Sequence, residues 1–402
     1  MTPSSAQLST HSAKHLRTYA MLLLPTGNRV YNAAADSLAQ AELQCFNTSV
    51  LEQRLSNINT RTIAGVPYLL FQCENLLETD VSYLSNLSFL FALYATDYAS
   101  NNASNTASNT ASNTANNTAR DTARDTANED TATLTTVNNE NMPHLVPVPL
   151  NKLDRFDTDL LSILKFAGKT NEQFTKMLLN TTIMASSFAE NMTKRRLRVL
   201  DPLCGRGTTL NQALMYGYDA AGIEIDKKDF DAYSVFINRW LKDKRLKHKS
   251  ESVQLRNHSK TQAHRLGIKL ASSKQAYKRH DVQTLDMLNA DTMNAREFFK
   301  PASFEIMVAD LPYGVKHGNQ TGSELARSPL QLLEQAIPLW TKLLCPGGAL
   351  GLSWNTYLGN KNDIIDLLQS SGLSLYPPTQ GDGFRHRVDQ AIVRDIIIAT
   401  RL

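Results

Sequence analysis

Two short runs in this 402-residue chain combine residue types that can do chemistry. The first is Asp201-Pro202-Leu203-Cys204-Gly205-Arg206-Gly207-Thr208-Thr209, and the second is Asp310-Leu311-Pro312-Tyr313-Gly314. In the first run, two glycines let the backbone pass close beneath a ligand, where a β-carbon would collide. In the second, a carboxylate stands next to a backbone carbonyl, and together they can accept both N–H bonds of an amino group. An exocyclic amine on a base is a poor nucleophile because its lone pair is delocalised into the ring. Holding both N–H bonds restrains the nitrogen and favours a localised lone pair aimed at an electrophile. Positioning and electrostatics then supply most of the catalysis. Pro312 fixes the turn, and Tyr313 would stack on a base, a contact worth roughly 1–3 kcal/mol.

The elements around these runs must present both at one edge. Leu197 to Asp201 reads as a strand and Leu210 to Tyr216 as a helix, so the first glycine turn joins a strand to a helix. That is the opening crossover of a nucleotide-binding sheet. No GK[ST] follows, which excludes a phosphate-binding P-loop, and the third glycine of a dinucleotide fingerprint is missing. The next strand, Asp219 to Ile225, ends in Gly222-Ile223-Glu224-Ile225-Asp226. An acid at that point suits a pair of ribose hydroxyls; Glu224 and Asp226 are both candidates. Phe304 to Ala309 is a strand that delivers Asp310. Strands and helices alternate to the C-terminus, which predicts an α/β domain with a mostly parallel sheet.

In this order the motifs resemble those of class I S-adenosylmethionine-dependent methyltransferases. DPLCGRGTT followed by GIEID is similar to that family's cofactor motifs, and DLPY resembles its (D/N)PPY amine-holding loop. The resemblance covers roughly residues 150–402 and implies a Rossmann-like sheet with S-adenosyl-L-methionine as cofactor. Asp201, Cys204, Gly205, Gly207 and Thr208 would frame its methionine part, and Glu224 or Asp226 its ribose. Asp291, after the apolar stretch Val282 to Leu288, would contact the adenine. Asp310 and the carbonyl of Leu311 would hold the amine; Leu311 replaces the family's usual first proline, which the role of its carbonyl tolerates. Leu343 to Gly348, a leucine-rich helix ending in PGG, is typical of the approach to the fifth strand, Ala349 to Trp354. Val388 to Arg401 would complete an antiparallel edge. Transfer would be direct, with neither metal nor covalent intermediate.

Loops of this type resemble those of RNA methylases that modify guanosine at N2, tRNA enzymes among them, in which an RNA-binding domain, often a THUMP domain, precedes the catalytic one. The expected substrate is therefore an exocyclic amine of RNA, with tRNA as partner. Adenine or cytosine in DNA, or a protein glutamine amide, would suit the same loop. A catalytically silent RNA-binding homologue is a third reading, against which the intact Asp310, Tyr313 and both glycines argue.

The rest of the chain divides by composition. Residues 1–98 read as a small α+β domain, with strands at Tyr19 to Leu24 and Val66 to Phe71 and a helix from Val30 to Leu43. Residues 99–143 repeat ASNT-like tetrapeptides almost without large apolar side chains, so they cannot offset the entropy of ordering and read as a disordered linker. Residues 144–402 read as the methyltransferase domain, with helices at Leu160 to Phe166 and Phe174 to Phe188. Within it, residues 242–279 hold twelve Lys and Arg against Asp243 and Glu251. That insertion is either a phosphate-contacting surface or a solvated, partly helical excursion. Gly383-Phe384-Arg385-His386-Arg387 is a smaller basic cluster, a substrate rim or an ordinary turn. Lys169 to Phe174 would pack near the cofactor's methyl end, by the same resemblance. The net charge of +4 permits a polyanion partner. Four cysteines without a CxxC pair predict neither a zinc site nor a disulfide framework. With no secretory start and no apolar run long enough for a bilayer, a cytoplasmic protein is expected.

Overall fold

The structure, a computed structural model, describes residues 16–25, 29–97, 143–163, 166, 169–256, 262–312, 329–377 and 383–402. Tyr313 and the tetrapeptide tract up to residue 142 lie outside the described residues.

The N-terminal part is an antiparallel sheet with one long helix on it. Its elements are β1 (Arg17–Leu23), α1 (Arg29–Ser49), β2 (Ser56–Ile63), β3 (Val66–Cys73), α2 (Glu78–Leu84), β4 (Leu90–Thr96) and β5 (Leu145–Val148). The strand order is β2-β3-β1-β4-β5. The apolar segment from Leu84 to Tyr94 thus ends a helix and then forms a strand. Alternation along β1 sends Tyr19 and Met21 to the face under α1, where Leu38 and Phe46 are fully buried. Leu145–Val148, expected to open the catalytic part, pairs with β4. The first sheet therefore takes its last strand from beyond the tract.

The remaining elements form a Rossmann-like α/β sheet, separate from the first. They are α3 (Asp159–Ser162), α4 (Glu172–Ala185), β6 (Arg198–Asp201), α5 (Thr208–Met215), β7 (Asp219–Glu224), α6 (Lys227–Asp243), β8 (Lys247–Arg256), β9 (Gln262–Ala271), α7 (Lys274–Lys278), β10 (Gln283–Asn289), α8 (Ala295–Phe298), β11 (Phe304–Asp310), α9 (Pro329–Leu343), β12 (Leu344–Asn355), α10 (Lys361–Ser370), β13 (Leu373–Leu375), β14 (His386–Arg387) and β15 (Val393–Arg401). The order runs β13-β15-β12-β11-β6-β7-β10-β9-β8, with β14 beside β15. β10, β7, β6, β11 and β12 are mutually parallel. Such strands are buried on both faces, which explains continuous apolar runs such as Ile306 to Ala309.

Two expectations are corrected here. β15 is antiparallel but does not form the edge: it lies between β12 and β13. The basic insertion is helical only at its ends, in the last residues of α6 and in α7. Most of it is the antiparallel hairpin β8–β9, which extends the sheet past β10. The PGG turn also belongs to a strand, since β12 begins at Leu344.

α4 is the pivot of the molecule. Asn171 caps its start by accepting from the amides of Gln173 (2.9 Å) and Phe174 (3.1 Å). Its residues Phe174 to Met184 are almost all buried, as expected for a helix covered on every side. It packs on β12 and α5 and also against α1 of the first sheet. On the opposite face of the large sheet, α9 buries Leu333, Ile337 and Trp340.

Candidate functional site

β6 and β11 are adjacent parallel strands, with Val199 beside Ile306 and Leu200 beside Met307. Their carboxyl ends therefore open at the same edge, carrying Asp201 on one and Asp310 on the other. This is where a doubly wound sheet holds its ligands.

The turn after β6 is shaped by its glycines. Gly205 and Gly207 have φ of +50° and +77°, left-handed values that suit glycine. A β-carbon on Gly207 would lie 2.4 Å from the Tyr233 ring, so α6 packs directly against this turn. Among the described residues nothing lies within 4 Å of the equivalent point on Gly205, which leaves space over the turn. The turn is tied down by Cys204 N–H donating to the Ile223 carbonyl (3.0 Å) and Gly207 N–H to the Cys204 carbonyl (2.8 Å). Thr208 is the first residue of α5.

Carboxylates converge on this edge. Glu224 accepts from Gly205 N–H (2.8 Å) and from Asp226 N–H (2.7 Å), linking β7 to the glycine turn. Asp201 is buried and accepts from Leu203 N–H at 3.0 Å. Burial raises its carboxyl to about 7; bonds from Thr209 and Leu203 oppose the rise, and the nearby Asp310 and Glu224 add to it. Burial also raises Glu224, against the two backbone N–H bonds. The Cys204 thiol is pushed well above its ordinary value, first by burial and then by Asp201 and Glu224. It is not poised as a thiolate nucleophile.

Asp310 is held from two sides. The Thr170 hydroxyl donates to Oδ2 and the Ser353 hydroxyl to Oδ1, both at 2.6 Å. Leu311 N–H donates to the Ser353 carbonyl at 2.9 Å, which fixes the start of the loop, and Leu311 itself is buried. Pro312 is exposed. Thr170 directly precedes the Asn171 cap, so the start of α4 places it against Asp310.

The other acids take structural bonds as well. Asp226 caps α6 by accepting from Lys228 N–H at 2.7 Å. Asp291 accepts from Met293 N–H at 2.9 Å just after β10. Ala290 N–H donates to the Glu224 carbonyl at 3.0 Å, so the end of β10 and Asp291 lie at the same edge as Glu224. The structure thus brings Asp201, Cys204, Gly205, Gly207, Glu224, Asp291 and Asp310 to one edge, while Tyr313 lies outside the described residues.

Sequence reasoning missed Ser353 and the role of His386. The basic cluster at 383–387 divides: Phe384 and His386 are buried, Arg385 and Arg387 exposed. His386 donates through Nδ1 to the Phe384 carbonyl at 2.8 Å, and its ring lies 5.4 Å from both Tyr31 and Phe174. Burial pushes its pKa down to about 4, against the Phe384 bond and with the help of Arg394; Asp310 is close enough to act on it in the other direction. A buried, neutral imidazole next to the site does not serve as a basic rim.

No protein-family model and no curated protein matches the sequence. Solved structures do. The TehB-like S-adenosylmethionine-dependent methyltransferase from Corynebacterium glutamicum is 14% identical, over 54% of this chain and 85% of its own, with a TM-score of 0.30. TrmN from Thermus thermophilus is 16% identical over 65% of this chain, of whose own length 57% is spanned, with a TM-score of 0.34. Magnesium protoporphyrin IX methyltransferase from Synechocystis, solved with S-adenosylmethionine bound, is 13% identical over 59% of this chain and 87% of its own, again with a TM-score of 0.34. The likeness is one of fold. Among the described residues no helix is long and apolar enough to cross a membrane, and no cluster of three or more His, Cys, Asp or Glu could hold a metal ion.

Proposed function

We propose that the chain is an S-adenosylmethionine-dependent methyltransferase acting on an exocyclic amine of RNA, with guanosine N2 of tRNA as substrate. The observation that carries this reading is the pairing of two loops on adjacent strands. A glycine turn closed by Glu224 stands at the end of β6, and a clamped Asp310 stands at the end of β11.

The residues fit the cofactor on two counts. Among the described residues space lies open above Gly205. The Asp201 carboxylate is buried with Glu224 close enough to act on it, and a ligand carrying a sulfonium and an ammonium complements their charge. When bound, the cofactor supplies a methyl group made electrophilic by its sulfonium. Asp201, Cys204, Gly205, Gly207 and Thr208 frame the methionine part. Glu224 keeps acceptor capacity for the ribose hydroxyls, Asp226 is the second candidate for them, and Asp291 is assigned to the adenine.

Asp310 accepts one N–H of the substrate amine and the Leu311 carbonyl accepts the other. Thr170 and Ser353 fix the carboxylate in advance, so little reorganisation remains at the moment of reaction. Pro312 stiffens the loop and Tyr313 stacks on the base. The proton that the nitrogen loses passes to solvent.

The test is incubation of the full chain with tritiated S-adenosylmethionine and total tRNA, total rRNA and genomic DNA. Label is expected in tRNA, recovered as N2-methylguanosine after digestion. Label confined to DNA or to protein would overturn the substrate assignment.

A further inference from the structure

The β8–β9 hairpin is a long addition to the edge of the sheet. One of its faces is buried: Leu266, Ile268 and Leu270 point into the core that also holds α6. The opposite face is open. On it, Lys249, Arg265 and Lys269 surround a groove whose floor is Gly267. A second groove shares Arg265 and continues to Arg198 and Lys300, over Phe298 and Phe299. The two adjoining grooves, which share Arg265 and Asp286, make a channel lined by five cations against Glu251 and Asp286.

Two of the cations are neutralised in place. Lys249 pairs with Glu251 at 2.6 Å, and Arg265 with Asp286 at 2.5 Å. Lys269, Lys300 and Arg198 make no ion pair among the described residues, and all three are exposed. Charged side chains on an edge strand also discourage pairing with another chain. That role explains Lys247, Lys249 and Glu251 on β8. It does not explain cations on β9, at the start of β6 and beyond α8, which belong to no edge.

The unpaired cations lie at the amino ends of the parallel strands, away from the candidate site: Lys269 stands beside Thr284, the second residue of β10, Arg198 stands beside Asp219, the first of β7, and Lys300 precedes β11; only the row of Arg265 is level with the glycine turn. Val253, Arg265, Leu288 and Ile223 form one row across β8, β9, β10 and β7. The Ile223 carbonyl at the end of that row accepts from Cys204 N–H, in the glycine turn. The apolar rings of Phe298 and Phe299 beside the cations suit sugars and bases, and the cations suit phosphates.

We propose that this channel binds the sugar–phosphate backbone of the RNA substrate at the amino ends of the parallel strands, away from the nucleotide that is methylated; the substrate class rests on the function proposed above. Binding is electrostatic and independent of sequence, and it contributes to affinity rather than to the chemical step.

The experiment measures binding of a fluorescein-labelled, unmodified tRNA transcript by anisotropy between 50 and 200 mM KCl (about the range over which phosphate binding is resolved), without cofactor. The double variant Lys269→Gln, Lys300→Gln removes two exposed charges that make no ion pair among the described residues and leaves the fold intact, which its thermal unfolding verifies. Its affinity is expected to fall roughly tenfold or more, and its log–log salt slope by about 2, near 0.9 for each phosphate that is no longer neutralised. In transfer assays KM rises with kcat unchanged. Wild-type affinity and slope in the variant would overturn the proposal. Tighter binding of a duplex DNA of equal length, abolished in the same variant, would overturn the RNA assignment. If the variant loses transcript binding while the wild type transfers no methyl group to any RNA, the channel stands and the proposed activity falls.

Discussion

An unfolded aspartate releases its proton near 3.8, whereas burial lets Asp201 keep its proton until about 7. The protonated carboxyl therefore contributes stability that is fully present below 3.8 and lost as pH rises through 7. A cation bound beside the ionised group recovers that cost. S-adenosylmethionine should accordingly bind more tightly as pH rises from 5.5 to 8 (about the window set by the raised carboxyl), and binding near neutrality should release a proton. Calorimetry in buffers of different ionisation enthalpy reads both effects. Asp201→Asn should flatten the pH dependence and weaken binding; a wild-type profile in that variant would contradict the account. At this scale the short runs were the most legible, since Asp201, Gly205 and Asp310 do meet at one edge of the sheet. Thr170 came only as part of a segment, and Ser353 not at all. Both are ordinary hydroxyl residues, and what makes them matter is the carboxylate they meet across 140 and 43 positions of chain.

Elements were legible according to how strongly their pattern repeats. Parallel strands such as β11 announce themselves as unbroken apolar runs, and α6 as a stripe of Phe230, Tyr233, Ile237 and Trp240. The β8–β9 hairpin was obscured by its lysines. The signal was nonetheless there: Leu266, Ile268 and Leu270 alternate with period two, which a helix would not use. The place of β15 was not legible, because its neighbour β13 is only three residues long and strand order is a tertiary property. The fifth strand of the N-terminal sheet was hidden for a similar reason, since it lies beyond the whole tetrapeptide tract.

The two sheets meet through a buried polar knot. Glu42 on α1 accepts from Ser88 N–H and Oγ, and from Asn180 Nδ2 on α4 at 2.8 Å. Tyr216 closes the knot by donating to Asn180 Oδ1 at 2.7 Å. Burial raises the Glu42 carboxyl, and the bonds from Ser88 and Asn180 hold it back. Glu42→Ala would strand these donors inside the protein and should cost about 3 kcal/mol, with the isosteric Glu42→Gln costing less. Urea unfolding monitored by fluorescence checks this: an unchanged midpoint in the alanine variant would mean that the sheets do not depend on this knot. Through α1 and α4 the knot also reaches the candidate site, because α4 begins beside Thr170.

What unites these levels is the proposal of a single crevice, in which the glycine turn after β6 would bind the cofactor and the loop after β11 would hold the amine. The most direct measurement uses Asp310→Ala. Methyl transfer to tRNA should fall by at least about a hundredfold, while calorimetry finds S-adenosylmethionine bound within about twofold of wild type, since Asp310 belongs to the amine rather than to the cofactor. Transfer at the wild-type rate, or loss of cofactor binding in its place, would contradict the account.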